Sequence, residues 1–339
     1  MTALTRRRLA TVLALFSLLL AASILIGLAV GPSGLSPSRV VRALLGSGSA
    51  ADADIVLRVR LPRVILAALV GASLSVAGVL FQALLRNPLA DPFVLGVSGG
   101  AALGGIAVLG FGASLGLSYA WVPVAAFLGA LATTLLLFGL AGARGRLSST
   151  SLLLTGVVFN SFASAAIVFI ASVAGLTEGT SIFLWLIGSL SSARIDVAGA
   201  VALFLALGLG CAVPLARGLD LLALGEEPAQ QLGVDVPRVK RLLLLATALM
   251  VGAAVAVSGL IGFVGLIIPH LLRLVLGPGH RLLVPSAALG GAAFLVLCDT
   301  VARTLLPGRE LPVGAVTALA GGPLFLILLR REQGSWGAR

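Results

Sequence analysis

Residues 9–30 read LATVLALFSLLLAASILIGLAV, an unbroken apolar run that directly follows Arg6, Arg7 and Arg8. The run is 22 residues long. A helix crossing a bilayer needs about 20 mostly apolar residues, whereas the core of a secretory signal spans only about 7–15. No clear small-x-small cleavage pattern follows it. The segment therefore predicts a spanning helix with its basic end in the cytoplasm.

The rest of the chain keeps the same character. Of its 339 residues 59% are hydrophobic and 10% charged, and the mean hydropathy is +1.16. Soluble domains are about 45–50% apolar and about 25% charged, so a water-facing globule is excluded. Further apolar runs predict spans at 62–85, 93–111, 120–141, 150–173, 196–215, 242–260, 262–276, 283–304 and 313–330. The expected fold is all-α, a polytopic membrane bundle of about ten helices forming a single domain over 1–339. The stretch 242–276 is too long for one span and barely long enough for two, and Gly259, Gly262 and Gly265 mark a break inside it.

A net charge of +11 invites a nucleic-acid partner, but the 23 basic residues lie between apolar runs rather than on one soluble face. They act as topology signals. With an even number of spans both termini fall on one side, and that side carries fifteen basic residues against eight. The sign of this bias places both termini in the cytoplasm. Arg39, Arg42, Arg58, Arg60 and Arg63 run against it on the outer side. Residues 36–60 open with the helix-start pair Ser36-Pro37 and alternate Arg39 and Arg42 with Val40, Val41, Leu44 and Leu45, which suits a helical segment at the outer surface. Residues 182–190 predict a re-entrant or interfacial segment. Small-residue stripes at Ala67, Gly71, Ser75 and at Gly96, Gly100, Gly104 predict close helix crossings.

Chemistry is sparse. Lys240 is the only lysine, in the context Val-Lys-Arg, so the chain has no phosphate-binding loop of the G-x-x-x-x-G-K-S/T type. His270 and His280 have no Cys or carboxylate at metal-ligand spacing, and Cys211 and Cys298 stand alone in apolar stretches. No catalytic residue, metal site or bound cofactor is expected. The acidic residues, Asp299 among them, all fall at or beyond expected span edges. An ion-coupled secondary carrier would keep charges inside its spans, so it stands as an alternative, beside a non-catalytic membrane scaffold.

Four stretches narrow the class. They are Arg60-Leu61-Pro62-Arg63 leading to Gln82–Pro92 (QALLRNPLADP), Gly225–Gly233 (GEEPAQQLG), Gly259–Arg273 (GLIGFVGLIIPHLLR), and Asp299–Arg303 followed by Glu310-Leu311-Pro312-Val313-Gly314. Together, in this order from about residue 55 to 331, the chain resembles the FecCD-type permeases. These are membrane subunits of type II ABC importers for cobalamin, haem and iron–siderophores. The resemblance implies the permease fold of that family and location in the bacterial inner membrane. It implies a second permease subunit, expected as a homodimer, two ABC ATPase subunits that use ATP-Mg, and a periplasmic or lipoprotein substrate-binding protein, with membrane lipid around them and no nucleic acid. Which chelate is carried stays open.

The resemblance also assigns residues. It makes 216–238 the cytoplasmic coupling segment, with Gly225, Glu226, Glu227, Gln230, Leu232 and Gly233 facing the ATPase. Physically, Glu226–Leu232 can form a short helix closed by Gly233; an ordinary solvated loop is the alternative. Arg60, Arg63 and Arg303 match arginines that receive glutamates of the binding protein. Pro62 can open a helix there, and the alternatives are headgroup anchoring or an internal Asp299–Arg303 pair at i,i+4. Asn160, Ser161 and Ser164 are assigned to the translocation path, with interhelical hydrogen bonding as the alternative. Ser149 and Thr150 fall at the family's cytoplasmic gate, and His270 is expected to pack near the inner surface.

Overall fold

The computed structural model describes residues 5–88, 90–93, 96–141, 149–175, 186–191 and 194–336. The first helix, α1 (Arg6–Ala29), is capped by the Thr5 hydroxyl, which accepts from the Arg8 backbone N–H at 3.2 Å. A short surface helix, α2 (Pro37–Leu44), starts on its proline and is followed by α3 (Ala50–Ala53). A wide-turned segment, Asp54–Arg60, then runs without a break into α4 (Leu61–Leu85). The expected outer segment thus splits into a short surface helix, packed through Val40 and Ala43, and an extension of the second span.

Beyond it lie α5 (Val97–Phe111), α6 (Val122–Ala141), α7 (Ser149–Val173) and α8 (Ile195–Leu222). The short α9 (Glu226–Gln231) leads to α10 (Val236–Ser258), α11 (Val264–Leu276), α12 (His280–Thr304) and α13 (Val313–Trp336). Among the described residues seven stretches are long and apolar enough to cross a bilayer, and three shorter apolar helices at 97–111, 264–276 and 313–327 occupy the places of the other three expected spans. The fold is the expected helix bundle. Several helices outrun their apolar windows: α8 continues through Asp220 and α10 begins at Val236, well before the run at 242. Backbone hydrogen bonding carries a helix past the point where hydrophobicity stops.

The break within 242–276 falls where the glycines predict it. Gly259 ends α10 at φ +66°, and Phe263 opens α11 at φ +71°, a left-handed conformation that is a genuine outlier for an aromatic residue. Of the segment expected at 182–190, only 186–190 lies among the described residues. Gly188 there accepts from the Gly314 N–H at 3.1 Å, tying it to the start of α13.

At the centre stands α4, apolar on every side and buried along nearly its whole length. It packs on α12, α8, α10 and α11. Close approach depends on glycine. A Cβ at Gly71 would overlap the Gly291 carbonyl of α12, and one at Gly78 would overlap the Gly265 carbonyl of α11. By contrast α7 packs mainly on α5 and α6 among the described residues and leaves Val157, Val158, Phe162, Val168 and Phe169 exposed.

Candidate functional site: the two ends of the bundle

One end carries the expected coupling segment. Gly225, at φ +129°, turns the chain out of α8 into α9. The helix closes as the glycine pattern predicts: Gly233, at φ +84°, donates to Gln230 O at 2.9 Å, and Val234 N donates to Ala229 O at 3.0 Å. Ala229 is buried and roots the helix, while Glu227, Gln230 and Leu232 are exposed together with Leu224. Glu226 behaves differently. Its Oε1 accepts from the buried Lys240 Nζ at 2.7 Å and lies 3.8 Å from Arg86, so it fastens α9 to α10 and α4. The single lysine of the chain has this structural use.

At the opposite end sit the arginines. Arg60, Arg63 and Arg303 are only 3%, 6% and 4% exposed. Arg63 donates from Nε to both oxygens of Asp299 and from Nη1 to Glu310 at 2.8 Å. Arg303 pairs with Asp299 at 3.0 Å and donates to Gly27 O at 3.1 Å. Arg60 donates to Ala29 O at 3.0 Å and to the Ser33 hydroxyl at 2.6 Å. The i,i+4 Asp299–Arg303 pair is the arrangement that the sequence left as an alternative.

Asp299, near the end of α12, is fully buried. Two guanidinium groups flank it, the condition under which a buried carboxylate is tolerated. The three arginines are buried as well, and each makes hydrogen bonds within the bundle. The exposed cations of this end are others. Arg58, 82% exposed and 3.1 Å from Asp54, and Arg194, 75% exposed and 2.7 Å from Asp196, flank an open groove of about 520 Å³. Nearby, Arg39 grips Asp52 at 2.6 Å, and its hydrogen bond holds that carboxyl below its ordinary range.

Asn160 on α7 donates from Nδ2 to Phe93 O at 2.6 Å, a bond to the loop between α4 and α5, whereas Ser161 and Ser164 lie on the exposed face. The side chains of Ser149 and Thr150 lie outside the described residues. His270 is buried in α11. Sequence reasoning missed Glu310, Lys240, Arg86 and Arg273 as structural partners. For Glu310 a signal existed, an acid expected at the same membrane edge as Arg63.

The FecCD transport family model matches residues 19–331. Over 92% of its length the chain is 44% identical to the hemin transport system permease protein of Yersinia pestis, covering 95% of that protein. It is 43% identical to the vitamin B12 import system permease protein of Vibrio cholerae, covering 91% of this chain and 90% of that one. Among solved structures it superposes, with a TM-score of 0.85 and 32% identity, on an inward-facing conformation of a protein described as a metal-chelate type ABC transporter. That match covers 95% of this chain and 99% of the other. The fold and its sequence define a multi-pass permease subunit of an ABC importer. The chain belongs to the FecCD transport family.

Proposed function

We propose that this permease moves a metal chelate, of the haem, cobalamin or iron–siderophore class, inward across the bacterial inner membrane by alternating access. It works as a homodimer with both termini in the cytoplasm. Each subunit rests through α9 on a separate ABC ATPase that binds and hydrolyses ATP-Mg. An external substrate-binding protein delivers the chelate to the arginine end. The observation that carries this reading is α9 itself, a short helix that a glycine brackets on each side and that presents Glu227, Gln230, Leu224 and Leu232 outward while Glu226 locks its base. A rigid knob of mixed polar and apolar surface can transmit a push that a solvated loop would absorb.

The described spans supply no competing engine. Asp299 is neutralised from two sides, so it is a poor exchangeable ion site, and a secondary carrier gains nothing from it. Ser161 and Ser164 on the unpacked face of α7 are assigned to the path between two subunits, with Ser149 and Thr150 at its inner gate and Asn160 holding α7 in register. Arg60, Arg63 and Arg303 are assigned to the platform beneath the docking protein rather than to a free basic patch. Reconstitution with the ATPase and binding protein in proteoliposomes tests the proposal. Uptake of chelate that requires ATP is expected, and uptake by the chain alone against a gradient would overturn it.

A further inference from the structure

At the α9 end, the last turn of α4, the end of α11 and the start of α12 border an open pocket of about 220 Å³. Arg86, Asn87, Arg273 and His280 line it. Arg273 is half-buried, and its hydrogen-bond partner is the neutral Gln82 Oε1; among the described residues no carboxylate lies within ion-pair distance of it. Arg86 holds Glu226 only at 3.8 Å. Its backbone is left-handed, φ +49°, a conformation that non-glycine residues adopt at a cost and that recurs at ligand sites. His280 bonds Asp220 through Nδ1 at 2.7 Å, while its Nε2 is fully buried and has no partner. Two incompletely matched guanidinium groups thus border one small space.

We propose that this cavity holds the phosphate group of an anionic membrane phospholipid. Guanidinium forks match phosphate oxygens in pairs, and basic pockets between spanning helices on the cytoplasmic side bind anionic headgroups. A lipid is favoured over free phosphate by the neighbouring surface. Leu274 and Val275, 58% and 77% exposed, follow Arg273 directly and offer a track for acyl chains. Arg8 donates to Leu276 O at 2.9 Å, which brings the exposed basic start of α1 to the same edge.

The site belongs to this chain alone, so its test needs no ATPase and is independent of the transport proposal. The purified full-length permease is melted in detergent with phosphatidylglycerol, phosphatidylcholine or inorganic phosphate at fixed ionic strength, and retained lipid is read by mass spectrometry. Phosphatidylglycerol is expected to be retained and to raise the melting temperature, with no such rise from phosphatidylcholine. Arg86→Gln and Arg273→Gln should lose that rise, while Arg281→Gln, an exposed arginine outside the cavity, should keep it. Equal effects of the two lipids, or equal loss in all three variants, would overturn the site. A full rise from inorganic phosphate would overturn its assignment to lipid. If the cavity variants do not fold, the comparison of lipids on the unaltered protein still decides.

Discussion

Arg63 Nε donates to both carboxylate oxygens of Asp299, at 3.0 and 3.1 Å, joining residues 236 positions apart in the chain. Through this bond α4 and α12 are locked at the end where Glu310 and Arg303 complete the cluster. Three arginines and two carboxylates gather here, so the cluster as a whole remains positive.

Removing Asp299 leaves the guanidinium groups of Arg63 and Arg303 buried without their shared anion. Breaking a buried pair by deleting one partner costs about 3–5 kcal/mol, because the remaining charge stays desolvated. Asp299→Ala is expected to lose most of its folded yield, with a clear drop in melting temperature in detergent. Glu310→Gln should do much less, since Glu310 is 43% exposed and water can take its place. Equal stability of the two variants would refute this ordering.

At the mid-height of the bundle, Gly78 faces the Gly265 carbonyl so closely that no side chain fits, and Gly265 in turn lies against Leu74 O. The crossing of α4 with α11 therefore rests on backbone contact. Gly78→Val must push the helices apart, and overpacking of a tight core typically costs about 1–3 kcal/mol. A lower melting temperature is expected, whereas Gly210→Val, where nothing lies within 4 Å, should leave it unchanged.

The sequence disclosed the helices and the local devices far better than the charge pairing. Hydropathy found the ten apolar helices because each is a continuous stretch, and Gly225, Gly233 and Gly259 announced their turns because a positive φ is a local demand. Arg63, Asp299 and Glu310 meet only through tertiary packing. A hydropathy window sees Asp299 near the end of an apolar run and cannot tell a solvated carboxylate from one flanked by two arginines. For the same reason the pairing of Glu226 with Lys240 on the next helix is invisible to a sequence window. The 3.6-residue period did show the Asp299–Arg303 pair, the one contact of the cluster that is local.

The coupling role of α9 is best tested where its stability is least involved. Gly233→Leu forces a branched side chain into φ +84°, a penalty of roughly 1–2 kcal/mol, and so distorts the helix end. Leu232→Asp removes an exposed apolar anchor without touching the backbone. Both should reduce ATP-driven uptake while the amount of protein in the membrane stays the same. Glu226→Arg should cost uptake and stability together, since it sets a third cation beside Lys240 and Arg86. Unchanged uptake in Gly233→Leu and Leu232→Asp would dismiss α9 as the contact.

Docking of the binding protein makes a different demand, because burial and exposure separate two sets of arginines. Charge reversal at Arg63 sets a third carboxylate beside Asp299 and Glu310, so Arg63→Glu should weaken docking and melt at a lower temperature as well. Arg58 is 82% exposed and bonded only to its helical neighbour Asp54, so Arg58→Glu should leave the melting temperature alone. If acidic groups of the partner approach this groove, Arg58→Glu weakens docking most at low salt. The difference then shrinks as ionic strength brings the screening length from about 30 Å at 0.01 M to about 10 Å at 0.1 M. Affinity that is equal in the variant and the unaltered protein at every salt concentration would place the docking surface elsewhere.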